Sequence, residues 1–286
     1  MKALFYSQNL LGDSLQTSPA IRGFWKQYGK QDLQITIGTS NDYVKVVYER
    51  MGVPVVIVAP PDHINEDDYD FVFRFDVSRA WTLGVQNNIP CSLAYAVLLG
   101  IKIDDILPVF ELQDSDPMPM FTKPFVIIQP YSVSCSSWTS DFANKRWQDE
   151  KWVELIKKIK SEFGYQVFVL GGPEDKKNYR FQDCSDVVYL FGCPLVEVAK
   201  LQREAALVIT LDSGVAHLAA SQKAKMLELY PACLPDKWMS NLSNEFARIV
   251  HYRPWELSVD YVWGLVAEDL HKVKKDESCI ISKETL

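Results

Sequence analysis

The sequence lacks the features that define several large classes of protein. Nowhere do about 18 uncharged apolar residues follow one another, which disfavours a transmembrane helix. The first residues, 1–7, form only a short apolar run, so no signal peptide is expected. Six cysteines and four histidines are present, but no C-x-x-C pair occurs and no cysteine has a histidine close by. We therefore expect neither a disulfide framework nor a metal site, and the cysteines fit a reducing cytoplasm.

Basic residues are outnumbered by acidic ones, with 30 Lys and Arg against 37 Asp and Glu. The formal net charge of −7 at pH 7 disfavours nonspecific attraction to nucleic acid and to anionic lipid. Two local basic clusters lie on predicted helices, Lys157, Lys158 and Lys160 and later Lys272, Lys274 and Lys275. Either cluster fits a solvated helix face, and the second could instead make transient contact with an anionic membrane surface. The expected location is the cytoplasm, with peripheral contact at the inner face of a membrane left open.

Short β-branched and aromatic runs alternate with longer amphipathic ones, which is the pattern of parallel α/β sheets. In the first part, strands are predicted at 3–7, 33–37, 53–58 and 71–75, and helices at 43–51 and 92–99. In the second part, strands are predicted at 125–129, 166–170, 187–191, 207–211 and 226–230, and helices at 149–163, 195–205 and 259–273.

A segment between the two parts contains three prolines within 114–124, which excludes a helix there. We place the domain boundary in this segment and predict two domains, 1–117 and 118–286. Two parallel sheets joined in this way are expected to leave a cleft between their strand carboxyl ends, where α/β folds bind ligands.

The most informative motif is Asp212-Ser213-Gly214, where an apolar strand turns directly into a helix. Free N–H groups at a helix start, a Ser213 hydroxyl as N-cap and the missing Cβ of Gly214 would allow a phosphate to approach closely. His217 follows one turn into the helix. The alternative is a plain capped helix with a buried histidine.

A second candidate is the hydroxyl-rich segment 131–147, which ends in Lys145-Arg146-Trp147. Hydroxyls and cations together suit phosphate oxygens. Lys145 could neutralise the charge on a departing diphosphate without a metal ion. The alternative for the Lys-Arg pair is an ordinary surface feature.

Asp13 follows the first predicted strand closely. A carboxylate there could accept the proton of an attacking hydroxyl. The alternative is helix capping by Asp13, with Ser18-Pro19 as a second possible helix start.

The turn Gly171-Gly172-Pro173-Glu174-Asp175 closes a strand, and its acids could accept hydrogen bonds from ribose hydroxyls. Neither a G-x-G-x-x-G fingerprint nor a P-loop is present. Hydride transfer and kinase chemistry therefore gain no support.

In chain order the four motifs are Gly-Asp-x-Leu-x-x-Ser-Pro-Ala from Gly12, Lys-Arg-Trp, Gly-Gly-Pro-Glu and Asp-Ser-Gly-x-x-His-Leu-Ala-Ala. Together they resemble the heptosyltransferases of glycosyltransferase family 9 over residues 1 to about 230. The resemblance implies an α/β fold of the GT-B type, with two Rossmann-like domains facing a cleft and a C-terminal helix that crosses back. The first domain would bind the acceptor and the second the nucleotide sugar. It also implies transfer with inversion, from a nucleotide-diphosphate sugar such as ADP-heptose to a hydroxyl of a glycan or glycolipid such as lipopolysaccharide core. No cofactor or metal would be strictly required.

The resemblance further implies roles for particular residues. Asp13 would be the catalytic base, and Lys145 would hold the donor phosphates. The other donor-binding positions would be Thr139, Ser140, Gly171, Glu174, Asp175, Cys193, Asp212, Ser213, Gly214 and His217.

The strand at 226–230 runs into Pro231-Ala232-Cys233, where relatives carry a Gly-Pro-Thr-like turn, so the identity of the donor sugar stays open. A nucleotide-sugar hydrolase or epimerase on the same fold would need a water-activating residue and no acceptor site. A sugar-nucleotide-binding protein without turnover would not need Asp13, Lys145 and Asp212 together. A modified base in DNA is a further, disfavoured, acceptor.

Overall fold

The computed structural model describes residues 1–7, 10–29, 32–59, 64–116, 124–131, 146–173, 175, 184, 187–230 and 246–284. Contacts divide the chain into two compact units. The first unit holds Met1–Asp116 together with Ser213–Lys223, and the other described residues belong to the second. The domain limits predicted from the sequence, 1–117 and 118–286, stay a prediction.

The first unit is built on a parallel sheet of four strands in the order β3-β2-β1-β4. Its strands are β1 (Lys2–Tyr6), β2 (Gln34–Gly38), β3 (Val55–Val58) and β4 (Phe71–Arg74). Its first four helices are α1 (Leu11–Tyr28), α2 (Asp42–Glu49), α3 (Val77–Asn87) and α4 (Cys91–Leu98). Ala3, Leu4 and Phe5 of β1 are all fully buried, as expected for a central strand covered on both faces.

Local sequence signals explain most helix limits in this unit. The Asn41 side chain accepts from the Tyr43 N–H at 3.0 Å and caps α2. Asp76 caps α3 in the same way, through the Ser78 N–H at 2.8 Å. Gly52, with φ +72°, follows α2, and Gly100, with φ +68°, follows α4, which are conformations that favour glycine.

The capping alternatives for α1 were wrong. The helix begins at Leu11 after an N-cap residue, Leu10, whose side chain makes no capping bond, and Asp13 lies within the first turn. Pro19 lies inside the helix and cannot bond the Leu15 carbonyl, four residues earlier. The Ser18 hydroxyl donates to that carbonyl at 2.6 Å instead, so the helix continues through the proline.

The second unit holds a parallel sheet of six strands in the order β10-β9-β8-β5-β6-β7. Its strands are β5 (Phe125–Gln129), β6 (Gln166–Gly171), β7 (Val187–Phe191), β8 (Leu207–Leu211), β9 (Met226–Tyr230) and β10 (Ala247–His251). The later helices of the chain are α5 (Asp149–Phe163), α6 (Leu195–Glu204), α7 (Gly214–Ser221) and α8 (Val259–Glu284). Helix α7 connects β8 to β9 along the chain, yet it belongs to the first unit.

Helix α5 has the limits predicted from the sequence and buries one apolar face. Trp152, Leu155, Ile156 and Ile159 are buried in the core of the second unit. Helix α8 packs against α5 and continues well beyond the predicted end at residue 273. No described helix is long and apolar enough to cross a membrane.

Candidate functional site

The starts of α1 and α7 lie against each other in the first unit. A Cβ added to Gly214 would lie 2.9 Å from Cγ of Leu11 and 3.0 Å from the backbone N of Gly12. A Cβ added to Gly12 would lie 3.1 Å from the ring Cδ2 of His217 and 3.4 Å from Cα of Gly214. Because Gly214 has no room for a side chain and Gly12 has little, the two helix starts pack closely through their backbones.

One turn further along, Gln16 of α1 meets His217 of α7. The Gln16 Nε2 lies 2.6 Å from Nε2 of His217 and 3.4 Å from its Nδ1. Both side chains are buried, with exposures of 3% and 4%. The Gln16 Oε1 has no hydrogen-bond partner among the described residues. An unmatched buried acceptor costs about 1–3 kcal/mol.

The start of α7 keeps two general features of an anion site, a capped helix start and a positive dipole end, but the predicted space at Gly214 was wrong, because Leu11 and Gly12 of α1 fill it. The Ser213 side chain accepts from the Ala216 N–H at 3.3 Å, which confirms the predicted N-cap. The first N–H groups of a helix have no partner within the helix, and the dipole makes this end positive. Asp212, which comes just before the cap, is 7% exposed.

Asp13 is half-buried in the first turn of α1, near a group of buried hydroxyls. The Tyr48 hydroxyl lies 2.9 Å from Oγ of Ser7 and 3.0 Å from Oγ1 of Thr17, which joins the end of β1 to α1 and α2. Burial raises the pKa of the Tyr48 phenol, and the charge of Asp13 raises it further. Tyr48 is therefore a neutral hydrogen-bonding group that braces the turn carrying Asp13.

The residues immediately after Lys145 are anchored in the second unit. The Trp147 Nε1 donates to the Leu257 carbonyl at 3.0 Å, and the indole is fully buried. Lys151 Nζ donates to the same carbonyl at 2.8 Å and to that of Trp255 at 2.9 Å. The end of the Lys-Arg-Trp motif therefore has a defined place in the fold.

The turn after β6 packs against the end of β7. A Cβ added to Gly171 would lie 2.7 Å from the Phe191 ring, so a larger residue there would have to displace that ring. The Asp175 carboxylate closes the turn by accepting from the Gly172 N–H at 2.7 Å. Cys193 lies two residues beyond Phe191. Burial, followed by the charge of Glu197, raises the pKa of the Cys193 thiol, which favours the neutral form.

The family model of glycosyltransferase family 9 (heptosyltransferase) matches residues 71–276. The chain belongs to this family. It is therefore a glycosyltransferase, and the predicted family is confirmed. The matched residues include the Lys-Arg-Trp, Gly-Gly-Pro and Asp-Ser-Gly motifs, whereas α1 with Asp13 comes before them. A sequence search of curated proteins finds no match.

Solved structures of heptosyltransferases have the same fold. ADP-heptose lipopolysaccharide heptosyltransferase II of E. coli is 16% identical, with 96% of this chain and 100% of that chain covered and a TM-score of 0.71. TibC of enterotoxigenic E. coli, a dodecameric iron-containing heptosyltransferase in complex with ADP-D-β-D-heptose, is 15% identical, with 95% and 77% covered and a TM-score of 0.64. E. coli WaaC with ADP is 16% identical, with 94% and 100% covered and a TM-score of 0.61. The predicted GT-B class, with two Rossmann-like parallel sheets, is confirmed.

The structure of this glycosyltransferase describes eight of the predicted site residues. Asp13, Ser213, Gly214 and His217 are placed together on the touching starts of α1 and α7. Gly171, Asp175 and Cys193 lie at the carboxyl ends of β6 and β7, and Asp212 follows β8. Lys145, Thr139, Ser140 and Glu174 lie outside the described residues. The roles predicted for all twelve stay predictions.

Two residues near the site were not predicted from the sequence, Gln16 and Tyr48. Gln16 lies one helical turn after Gly12, so the two share a face of α1. The spacing of Gly12 and Gln16 would have indicated a contact with α7 only if the packing of α7 on α1 had been known. Tyr48 reads as an apolar position of α2, and nothing in its neighbourhood along the chain indicated hydroxyl partners.

No group of three or more His, Cys, Asp and Glu side chains that could hold a metal ion occurs among the described residues. The prediction that no metal or cofactor is required stays a prediction. A cavity of about 360 Å³ lies elsewhere in the first unit, beside the second half of α1 and residues 103–111. Arg22 and Lys26 at its wall are paired with Glu111 and Asp104. It contains none of the predicted site residues.

Proposed function

We propose that this glycosyltransferase transfers a sugar, heptose or another, from a nucleoside-diphosphate donor to a hydroxyl of a glycan or glycolipid, with inversion at the anomeric carbon. The observation that carries the proposal is the contact between the starts of α1 and α7. It puts the turn bearing Asp13 beside a helix start suited to a diphosphate, within one compact unit.

The proposed reaction is a single displacement. The acceptor oxygen attacks the anomeric carbon while its proton passes to the Asp13 carboxylate. The bond from the anomeric carbon to the diphosphate oxygen breaks, and its electron pair leaves with the diphosphate. The start of α7, with Ser213 and Gly214, and the Lys145 ammonium would stabilise the charge that develops there.

The nucleoside is assigned to the ends of β6 and β7, with Gly171, Glu174, Asp175 and Cys193 as its contacts. Carboxyl ends of parallel strands are where α/β folds bind ligands, which supports this assignment. Thr139 and Ser140 are assigned to the phosphates, and Asp212 and His217 to the sugar and the support of its loop. Solved relatives carry ADP or ADP-heptose, so adenosine diphosphate is the first nucleotide to test.

The acceptor proposed is a sugar hydroxyl of a membrane-bound glycolipid such as lipopolysaccharide core, the class named for one solved relative. An enzyme acting on it would work in the cytoplasm, with transient contact at the inner face of the membrane. Lys274 is exposed on α8 and would favour an anionic lipid surface, whereas Lys272 on the same helix is paired with Glu268.

Donor binding can be measured by titrating the purified protein calorimetrically with ADP, GDP and UDP in the presence of EDTA. We expect one diphosphate to bind without metal, and Lys145→Ala to weaken that binding by at least about tenfold, the cost of one charged hydrogen bond. Lys157→Ala removes an exposed cation from α5 and should bind like wild type. If no diphosphate binds, or if both variants behave alike, the donor site is wrongly assigned.

Catalysis can be followed by nucleotide release with and without acceptor. Asp13→Asn should lower kcat by about 10²–10⁴, the usual contribution of a general base, and leave the donor dissociation constant unchanged. NMR of the new anomeric centre should show inverted configuration. Release of nucleotide that needs no acceptor would favour the hydrolase or epimerase instead.

A further inference from the structure

The His217 ring is held by two contacts from α1. The Gly12 backbone covers one edge of the imidazole, and the Gln16 amide lies against another. With the ring 4% exposed, these two contacts from α1 leave it little freedom to turn. We propose that Gln16 is a positioning residue that holds His217 neutral and in one orientation, so that the start of α7 keeps the shape that receives the donor diphosphate.

The amide favours one protonation state of the ring. An amide N–H can donate only to an imidazole nitrogen that carries a lone pair, and an imidazolium has none. The positive end of the α7 dipole also disfavours a cation at this place. Asp13 in the first turn of α1 and Asp212 immediately before Ser213 are the acids next to this contact along the chain, and a carboxylate close to the ring would favour the imidazolium. Gln16 is the group that can offset them through direct contact.

Stability alone does not account for the amide. Its Oε1 is buried and unmatched among the described residues, a state that costs free energy. A methionine of similar length would fill the space without that cost. The amide at this position is therefore explained by the contact of the Gln16 Nε2 with the His217 ring. The inference about the donor rests on the proposed function, whereas the effect on the ring does not.

The chain offers a matched control at the other end of α7. Gln222, directly after α7, donates from its own amide to the Phe110 carbonyl at 2.7 Å. Gln222→Met and Gln16→Met each remove one amide that docks α7, but only the second touches the imidazole. A purely structural role predicts that the two variants behave alike.

The first measurement is an NMR titration of the imidazole protons of ligand-free protein, with His217→Asn to assign the signal. In wild type the pKa of His217 should lie below the unperturbed value near 6.5, because the Gln16 amide donates to the neutral ring. Gln16→Glu places a carboxylate against the ring and should raise that pKa. Gln16→Met should move it upward by less. Gln222→Met should titrate like wild type.

The second measurement is the dissociation constant of ADP by calorimetry at pH 6 and pH 8. Gln16→Met should bind about tenfold more weakly than wild type, whereas Gln222→Met should bind equally well despite a similar fall in Tm. If the Gln16 variants leave both the titration of His217 and the binding of ADP unchanged, the inference is overturned. If wild type binds no diphosphate, the proposed function fails, and the titration still decides whether Gln16 governs the ring.

Discussion

Gly12 and Gly214 meet so closely that a Cβ at residue 214 would stand 3.0 Å from the backbone N of Gly12. Helix α1 follows β1 and helix α7 follows β8. The contact between the two glycines brings the N-terminal ends of α1 and α7 side by side. The proposed chemistry depends on that contact, because Asp13 comes directly after one glycine and the turn proposed to bind the donor diphosphate contains the other.

Gly214→Ala should lower the free energy of unfolding by about 1–3 kcal/mol, since the new methyl must push α1 away. It should also weaken ADP binding, which can be measured by calorimetry beside urea unfolding. Gly264→Ala is the control. A Cβ at Gly264 meets nothing within 4 Å, and replacing a helical glycine should stabilise α8 by up to about 1 kcal/mol. Equal effects of both substitutions would contradict the close contact.

Trp147→Phe removes the donor to the Leu257 carbonyl and leaves a gap beside Trp152, whose ring centroid lies 4.7 Å away. We expect a loss of about 1–3 kcal/mol in urea unfolding, combining the lost hydrogen bond with poorer packing. Because Lys145 comes two residues earlier, ADP should also bind more weakly. Lys151→Met removes the other donor to the Leu257 carbonyl. It should lower stability while changing ADP binding less than Trp147→Phe does.

Thr210 and Gln129 stand side by side at the carboxyl ends of β8 and β5. The buried Thr210 hydroxyl donates to Oε1 of Gln129 at 2.7 Å. Thr210→Val should cost about 1–3 kcal/mol, since it leaves that oxygen without this donor. Combining it with Gln129→Leu should recover part of the loss. A double-mutant cycle by urea unfolding measures the coupling, and strictly additive effects would show that the pair does not interact.

Glu268 and Asp269 contact the same Arg248 but should give opposite pH dependences. Hydrogen bonds from Arg248 and Lys272 lower the pKa of Glu268 from 4.5 to about 2. Its contribution to stability is therefore complete above pH 4.5 and is lost as the pH falls toward 2. Glu268→Gln should flatten the fall of Tm across that interval.

The Asp269 Oδ1 lies 3.0 Å from Nη2 of Arg248. Burial nevertheless outweighs this ion pair and raises the pKa of Asp269 above its usual value of 3.8. A raised folded pKa gives stability that is present below 3.8 and lost as the pH rises. Asp269→Asn should remove that loss, seen as a Tm that falls less between acid and neutral pH. If both variants change the Tm profile with the same sign, the two carboxyl groups are wrongly assigned.

Much of the fold could be predicted because apolar runs mark the strands, and glycine, proline and capping residues mark where many elements end. β5, β7, β8, β9 and α5 have the predicted limits. Helix α3 and strand β10 were not predicted, although in α3 Val77, Ala80 and Trp81 recur at helical spacing after the capping Asp76. The path of α1 through Pro19 was also beyond sequence reasoning, because it depends on a serine hydroxyl that satisfies one particular carbonyl.

The candidate site also has a part that could be predicted from the sequence and a part that could not. The sequence by itself determined the family, the parallel sheets and the capped start of α7, since these follow from residue types within a few positions of one another. Only the tertiary structure decided that this start lies against α1 and that Gln16 meets His217, 201 residues further along. Contacts at such separation depend on how two helices pack, which local patterns along the chain do not encode.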